Sequence, residues 1–470
     1  MRFDGHDFAR FARCLRAETE ALHAMVETDS LSAHAPVAGL ELEAWLIDAA
    51  GRPAPRNEEF IARIASPDIV TEIGRFNIEL NVPPRPVSGD GLGRLEADLD
   101  ATWRRCREVA SDMGLQVVAI GILPTVVDAD LSLANLSDRA RYRALNQQVL
   151  RQRHGRPIRL DISGPGGSTL HSEHHDVMLE AAATSFQVHL QVPADDMVRT
   201  YNAAIIASGP VVALTGNSPL LFGRELWQET RIPLFERALN IGAREDGAHA
   251  ALGRVGFGSG YAGYSLVECF RENLERFEPL LPVELDEPAG RLPHLRLHNG
   301  TIWRWNRPLV GFDDDGRIHL RLEHRPMAAG PTLADMMANL AFSIGLVASL
   351  AGEPVAPESR LPFDDARRNF YDAARFGLDA PLRWTDGRVL AAGELLPELV
   401  GRARQGLAAL GVATALAERW MRLIDARLAA RATGARWQLA QLEALGGDLT
   451  ALTLAYTRRQ AVGEPVHLWR

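Results

Sequence analysis

A short alternating segment near the N-terminus, residues 39–46, constrains the fold of this chain more than any other stretch. The alternation predicts a β-strand, in which side chains two residues apart point to the same face of the sheet. Glu41 and Glu43 therefore project together, and the apolar residues between them project from the opposite face. Like charges side by side repel, so this pair needs a cation or wide exposure to water. Carboxylate oxygens suit Mg²⁺ or Mn²⁺; a solvated polar face is the alternative.

The overall composition excludes several classes of partner. The 470 residues are 46% hydrophobic and 24% charged, as in an ordinary globular protein, and the net charge of -9 favours neither nucleic acid nor an anionic membrane. No apolar run reaches the ~20 residues of a membrane span. The polar N-terminus lacks a signal-peptide core, and three scattered cysteines indicate reduced thiols. We expect a cytoplasmic protein with small-molecule partners, whose oligomeric state the sequence does not give.

The absence of lysine narrows the chemistry. All 51 basic residues are arginine. A Gly-rich phosphate loop ending in Gly-Lys-Ser/Thr and a Schiff-base lysine are both excluded. Any phosphate group would have to be held by arginine, backbone amides or a metal ion.

Two further alternating segments predict strands with a polar face. In residues 76–81 the alternation puts Glu79 on the polar side; Glu72, an odd number of residues away, is expected in the preceding turn. In residues 185–192, His189 lies between two glutamines on the polar face. A lone histidine on a sheet is usually a satisfied polar residue. Because His189 follows two strands that carry carboxylates on their polar faces, its position favours a role as a metal ligand or a nucleotide contact.

A hairpin is predicted over residues 294–310 and 317–326, joined by an Asp-Gly turn. Its second strand puts Glu323 and Arg325 on one face, and its first puts Trp303 and Arg307 on one face. The histidine-rich run at 171–175 lacks regular ligand spacing, so we interpret it as a mobile loop that lines a pocket.

The remaining periodicity predicts helices. They cover residues 6–27, 90–113, 196–214, 333–351, 392–432 and 435–461, and the fourth is apolar almost all round, as in a buried helix. The simplest partition is one domain, 1–470, with a sheet-forming core at about 35–330 and a helical C-terminal part at about 331–470.

Carboxylates, one imidazole and several arginines collect on the polar strand faces. Metal ions neutralise phosphate oxygens and arginines stabilise a transferring phosphoryl group, so this set suits phosphoryl transfer. The set comprises Glu41, Glu43, Glu79, His189 and Glu323, with Glu72, Arg231, Arg307 and Arg325 available.

These residues carry a resemblance to a known family. The ordered series runs Glu-x-Glu at 41–43, Glu72 to Glu79, Gln-Val-His at 187–189, Thr-Gly-Asn-Ser-Pro at 215–219, Trp-Arg-Trp-Asn-Arg-Pro at 303–308 and Leu-Glu-His-Arg-Pro at 322–326. It resembles the glutamate–cysteine ligase family of the carboxylate–amine ligase type, over roughly residues 35 to 380. The resemblance implies an α+β fold like the glutamine synthetase catalytic domain, with an antiparallel saddle-shaped sheet backed by helices.

The resemblance also implies a reaction and roles for individual residues. It implies ATP, two or more Mg²⁺ (with Mn²⁺ as a substitute) and a γ-glutamyl phosphate attacked by an amine, in the simplest case cysteine. By position, the metal-site residues would be Glu41, Glu43, Glu72, Glu79, His189 and Glu323. Arg325 would stabilise the transferring phosphoryl group and Arg231 would hold a substrate carboxylate. We assign Arg307 to the catalytic set, and Asn217, Tyr142 and Trp303 to substrate contacts.

One departure from the family pattern leaves the acceptor open. His324-Arg325-Pro326 lacks the acidic residue that many members carry shortly after this arginine. The alternatives are ligation of glutamate to cysteine, the same chemistry with another acid or amine, a regulatory nucleotide- or glutamate-binding protein without turnover, and a phosphagen-type kinase.

Overall fold

The computed structural model describes residues 3–28, 30–34, 36–239, 241 and 252–469. In this part of the chain the strands are β1 (Val37–Ile47), β2 (Ile69–Thr71), β3 (Asn77–Pro86), β4 (Gln116–Val118), β5 (Ile158–Ser163), β6 (Thr169–His174), β7 (Phe186–Gln191), β8 (Leu220–Leu221), β9 (Arg224–Glu225), β10 (Val255–Gly256), β11 (Trp303–Arg304), β12 (Asn306–Phe312), β13 (Ile318–His324), β14 (Pro381–Arg383) and β15 (Val389–Ala391).

The helices in the described ranges are α1 (Gly5–Glu27), α2 (Asn57–Ile64), α3 (Gly91–Asp112), α4 (Ala140–Gln152), α5 (Met197–Thr215), α6 (Arg231–Ala238), α7 (Val267–Arg276), α8 (Pro293–Asn299), α9 (Leu333–Ala351), α10 (Phe363–Phe376), α11 (Ala392–Ala409), α12 (Thr414–Ala429), α13 (Gly434–Ala444) and α14 (Leu449–Val462). Helices predicted at 6–27, 90–113, 196–214 and 333–351 thus form close to their expected bounds.

One curved antiparallel sheet organises the molecule. Its strand order is β12-β13-β7-β1-β3-β2, and β4 pairs with the end of β1. Because β1 lies centrally, its polar face meets the polar faces of both neighbours. The register places Glu43 opposite Glu79 on β3, and Glu323 on β13 opposite His189 on β7. The polar residues of four separate strands are thereby gathered on one surface.

Two apolar helices form the layer behind the sheet. The segments Ala194–Thr215 and Leu333–Ala351 are long and apolar enough to cross a membrane, but 89% and 78% of them are buried within the protein. The two helices pack against each other and against strands of the main sheet. They are therefore core helices, as the sequence predicts for the second of them.

The predicted hairpin at 294–326 is wrong in its first half. Residues 293–299 form α8, which Pro293 begins at a position where its missing N–H and fixed φ suit a helix. The first strand proper is β12, and it pairs with β13 as predicted. The alternation of leucine with polar residues at 295–298 therefore reflects one buried side of a short helix.

The histidine-rich run is also not a mobile loop. Residues 169–174 form β6, which pairs with β5 around a turn at 164–168. The histidines are fixed by local partners: His171 Nδ1 lies 2.6 Å from Asp161 Oδ1, and His174 Nε2 lies 3.0 Å from Ser172 Oγ.

The two long helices predicted in the C-terminal part are shorter than expected. The C-terminal helices are each divided, where glycines with positive φ stop the chain at Gly411 and at Gly446 and Gly447. A small hairpin, β14–β15, also interrupts the helical part.

Candidate active site

Two groups of side chains occupy the polar face of the sheet. The first, which we call the histidine cluster, consists of Glu41, His189 and Glu323. His189 Nε2 lies 3.1 Å from Glu41 Oε1 and 3.8 Å from Glu323 Oε1. Within the described residues, these three side chains form a group of potential metal ligands whose donor atoms all lie within 4.8 Å of one another. Strand pairing between β1, β7 and β13 creates this geometry.

Two arginines balance the charge of the histidine cluster. Arg307 donates from Nε and Nη2 to both oxygens of Glu323, at 2.8 and 2.9 Å, and Arg325 Nη1 donates to Oε2 at 3.0 Å. Burial raises the pKa of Glu323, but the two guanidinium groups outweigh it and hold this pKa far below its usual range. For Glu41, burial is likewise outweighed, chiefly by the hydrogen bond to His189, so its pKa is lowered. The lowered pKa values favour the ionised form of both carboxyl groups.

The second group, which we call the acidic cluster, consists of Glu43, Glu72, Glu79 and Glu180. Glu43 accepts hydrogen bonds from the Ser185 backbone N–H at 2.6 Å and from Gln187 at 2.9 Å. Burial still raises its pKa, against the lowering effect of Arg325. The carboxyl groups of Glu72 and Glu79 contact each other at the β2–β3 end of the sheet, so Glu72 does lie in the turn before β3.

Carboxyl groups outnumber cations in the acidic cluster. Burial, followed by repulsion from Glu41 and Glu43, raises the pKa of Glu79 to about 7. Burial and the charge of Glu79 raise the pKa of Glu72 well above its ordinary value. Burial and the charge of Glu43 raise the pKa of Glu180 to about 8. Without a bound cation, protons must supply the missing positive charge.

The acidic cluster borders a cavity that is lined by acidic, basic and aromatic side chains. Its lining residues are Glu43, Glu72, Ile73, Asn77, Glu180, Ala181, Ala183, Thr184, Ser185, Arg231, Phe235, Trp305 and Arg325. Arg231 is 3% exposed, donates from Nε to Glu229 Oε1 at 3.1 Å, and lies over the Trp305 ring. Arg325 also bonds Gln187 and so lies between the two clusters. The cavity combines carboxylates, two guanidinium groups and an aromatic side.

A second cavity adjoins the histidine cluster. It is lined by Val37, Gly39, Leu40, Glu41, Asp68, Asn81, Val82, Pro83, Pro84, His189, Gln191, Phe312, His319 and Arg321. Arg321 Nε lies 3.4 Å from His189 Nδ1, and His319 Nδ1 lies 2.8 Å from Asp313 Oδ1. A basic group beside apolar surface suits a ligand that has both a phosphate and a ring.

Three of the predicted substrate contacts do not line the first cavity. Asn217 is fully buried, and its amide nitrogen donates to Ala329 O and Tyr456 Oη at 2.7 and 2.8 Å. Trp303 belongs to β11, and its neighbour Trp305 lines the cavity instead. The Tyr142 hydroxyl, beside Glu72, donates its hydrogen bond to the Thr71 carbonyl at 3.0 Å, so its proton is already used within the protein. We therefore interpret Asn217 as structural.

The structure adds residues that the sequence patterns did not single out. Glu180 lies in a short 3₁₀ turn, Met178–Ala182, whose side-chain directions no simple period predicts. Phe235 follows Arg231 on α6 and reaches the same cavity. Glu229 holds Arg231, Ser218 Oγ and the Asn217 N–H, which fixes the turn at 217–219 against α6. The only available sequence signal was the proximity of Glu229 to Arg231.

The chemistry of the donor set fits divalent cations. The histidine cluster supplies two carboxylates and an imidazole at ligand spacing. In the acidic cluster, a cation would replace the protons that raised pKa values require. Glu41, His189 and Glu323 could hold one ion at this spacing, whereas Glu43, Glu72 and Glu79 could hold another only if their side chains moved closer together, because their donor atoms do not all lie within 4.8 Å of one another.

Comparison with known proteins gives an independent view of this fold and site. The sequence profile of glutamate–cysteine ligase family 2 matches residues 37–453. No curated protein sequence matches the chain significantly. A crystal structure of glutamate–cysteine ligase from Francisella tularensis in complex with AMP is similar with a TM-score of 0.59 at 10% identity, covering 92% of this chain and 89% of that one. A bifunctional glutathione synthetase from Pasteurella multocida gives a TM-score of 0.48 at 11% identity, covering 94% of this chain and 55% of that one.

The fold and the site together define a carboxylate–amine ligase. The chain belongs to glutamate–cysteine ligase family 2, because the profile spans most of its length. The family resemblance and the predicted glutamine synthetase-like α+β fold, with a curved antiparallel sheet backed by helices, are thereby confirmed.

Proposed function

We propose that this protein uses ATP and Mg²⁺ to activate the γ-carboxyl group of glutamate and join it to an amine, with cysteine as the first acceptor to test. A carboxylate oxygen attacks the γ-phosphorus of ATP and ADP leaves. The amine nitrogen then attacks the acyl carbon, and phosphate and a proton leave. The observation that carries this proposal is the placement of Arg325 between the histidine cluster and the acidic cluster.

The nucleotide is proposed to bind in the cavity beside the histidine cluster. The Francisella tularensis ligase was crystallised with AMP, which supports nucleotide use in this fold. Arg321 supplies positive charge there, and Phe312 and Val82 supply apolar surface for a base. Mg²⁺ held by Glu41, His189 and Glu323 would neutralise phosphate oxygens. Neither lysine nor a Gly-rich phosphate loop is needed.

The carboxylic acid and the amine are proposed to share the cavity beside the acidic cluster. Arg325 carries a planar guanidinium group that suits the equatorial oxygens of a transferring phosphoryl group. Arg231, held by Glu229 and by the Pro326 carbonyl, is proposed to bind a substrate carboxylate. Arg307 is proposed to act by fixing Glu323 in place. We further propose small-molecule substrates in the cytoplasm.

Hydroxylamine tests the activation step without knowledge of the natural amine. The protein is incubated with ATP, Mg²⁺, glutamate and a high concentration of hydroxylamine. We expect glutamyl hydroxamate, ADP and phosphate in equal amounts, because this small nucleophile intercepts an acyl phosphate. No hydroxamate from glutamate or any other acid, with nucleotide still bound, would favour a regulatory protein. A phosphorylated guanidine product would indicate the kinase alternative.

The same assay identifies the substrates. A screen of carboxylic acids with hydroxylamine finds the activated acid, and a screen of amines with the best acid finds the acceptor. Hydroxamate from glutamate without product from cysteine would support a different acceptor.

A further inference from the structure

Glu180 is a half-buried residue that lines the cavity beside the acidic cluster, which we call the acid and amine cavity, and its carboxyl group has an unused acceptor. Its Oε2 atom is buried and has no hydrogen-bond partner. It lines the same cavity as Arg231, Phe235 and Trp305. Leaving a polar group buried and unpaired costs free energy, so a ligand that satisfies it gains correspondingly. Glu180 is not one of the residues proposed to bind metal.

Asn77 offers further unused polar atoms in the same cavity. Both its amide oxygen and its amide nitrogen are buried without partners, and the residue is 2% exposed. The surroundings of Gly74 show that this amide lies close to the turn that carries Glu180. A Cβ atom at position 74 would lie 2.5 Å from Asn77 Oδ1 and 2.9 Å from the Cβ of Ala181, the next residue after Glu180. Two oxygen acceptors thus lie in one region of the wall.

We infer that Glu180, with Asn77 beside it, binds the positively charged amino group of the acceptor amine and accepts one proton from it, so that the nitrogen lone pair is free to attack the acyl carbon. The inference rests on the proposed function. An ammonium group brings three donors and one positive charge, and this wall supplies oxygen acceptors and an unpaired carboxyl group. The nucleotide is proposed to occupy the cavity beside Glu41, so the acceptor approaches from the Glu180 side. Arg231 and Arg325 remain available to bind the anionic groups of the substrates.

Two probes of equal size isolate the contribution of charge. Methylamine and hydroxylamine each have two non-hydrogen atoms, but at neutral pH methylamine is protonated and hydroxylamine is largely uncharged. In Glu180→Gln we expect kcat/KM for methylamine to fall at least about tenfold, the value of one charge-assisted hydrogen bond. With hydroxylamine as acceptor, we expect kcat/KM to stay within about twofold, since it brings no charge to Glu180. ATP, Mg²⁺ and glutamate are saturating in both assays.

Glu173→Gln is the matched control, because it makes the same change of charge on an exposed side chain that pairs with Arg159. We expect both acceptors to react as with the unaltered protein. Glu180→Gln should unfold at the same or a higher temperature, since it removes an unpaired buried carboxyl group. A second variant, Glu180→Ala, should show the same selectivity between the probes.

Several results would overturn the inference while leaving the proposed ligase chemistry intact. They are an equal loss with both acceptors, no loss with either, a raised KM for glutamate, a raised Mg²⁺ requirement, or hydroxamate formation by the unaltered protein without any reaction of methylamine. Failure of the unaltered protein to form a hydroxamate from any acid would instead overturn the proposed function, and this inference with it.

Discussion

The histidine cluster and the acidic cluster contain similar groups but are balanced differently. In the histidine cluster, Arg307 and Arg325 lie against Glu323 and hold its pKa down. In the acidic cluster, burial and mutual repulsion raise the pKa values of Glu72 and Glu79. The chain therefore balances the carboxylates with its own arginines at one end of the site, whereas at the other end Arg325 and Arg231 offset only part of the negative charge. There a cation, a substrate ammonium group or protons must supply the remaining counter-charge.

Removing a carboxylate that is proposed to bind metal should abolish turnover in either cluster, which is the effect that the two clusters have in common. We expect Glu43→Gln and Glu323→Gln each to lower kcat for hydroxamate formation at least about a hundredfold, the scale of losing one preorganised electrostatic group. The measurement is phosphate release at saturating Mg²⁺. Undiminished activity in either variant would remove that residue from the proposed metal site.

Arg325 is the group that both clusters share, so its replacement tests their connection. Lysine keeps the charge but lacks the planar guanidinium group, whose Nη1 atom donates to both Glu323 and Gln187. We expect Arg325→Lys to lose roughly tenfold to a hundredfold in kcat, less than loss of a metal ligand. Near-normal turnover would argue against a role at the phosphoryl group. Arg388→Lys, at an exposed ion pair, is the control.

The free energy of unfolding of the same variants should show which cluster is balanced by the chain itself. Glu323→Gln removes the carboxylate that pairs with two buried arginines, so we expect a loss of about 3–5 kcal/mol in the free energy of unfolding. Glu43→Gln relieves repulsion among carboxylates and should leave that free energy unchanged or raise it. Urea denaturation without divalent cations compares the two. Equal destabilisation would mean that the acidic cluster is also balanced by the chain itself.

Strand periodicity predicts the histidine cluster better than the acidic one. Alternation in three strands is sufficient to place Glu41, His189 and Glu323 on one face, because side-chain direction on a strand has a fixed period. It does not give the direction of Glu180, which lies in a 3₁₀ turn. It also misleads at 294–299, where a short helix with one buried side resembles an alternating strand.

Tertiary contacts explain the other differences between prediction and structure. Asn217 lies in a turn rich in small polar residues, which is typical of a binding loop. The partners that bury its side chain, Ala329 and Tyr456, are more than a hundred residues away in sequence. The aromatic side of the cavity is similar: Trp305 faces it because its indole N–H donates to Glu236 at 2.9 Å on α6. Such partners are not evident from local periodicity.

The pH dependence of stability should reveal the missing counter-charge. The pKa of Glu79 is raised from 4.5 to about 7 in the folded protein. The folded state therefore binds this proton more tightly, so its stabilising effect is complete below pH 4.5 and is lost as the pH rises through 7. Glu180, with a pKa raised to about 8, extends the loss upward.

We therefore expect the unfolding temperature without divalent cations to fall as the pH rises from 4.5 to 8. Saturating Mg²⁺ should reduce this fall, because the cation takes the place of the protons. Glu79→Gln should weaken the pH dependence in the same window. The low pKa values of Glu41 and Glu323 act only at more acidic pH, where stability is lost as the pH falls. A flat profile above pH 4.5 would mean that the acidic cluster is ionised without a cation.

The histidine-rich run should give the smallest effect, although its sequence suggested a pocket-lining loop. His171 and His175 are exposed beside or on β6, and His171 is already paired with Asp161. Neither residue lines the cavity beside the acidic cluster or the one beside the histidine cluster. Replacing both with alanine removes only the exposed contact between His171 and Asp161, worth at most about 1 kcal/mol. We expect KM for the acceptor and for Mg²⁺ to change by less than about twofold, as for other exposed polar contacts. A changed acceptor preference would show that this hairpin approaches the acid and amine cavity during turnover, and a raised Mg²⁺ requirement would extend the metal site beyond the two clusters.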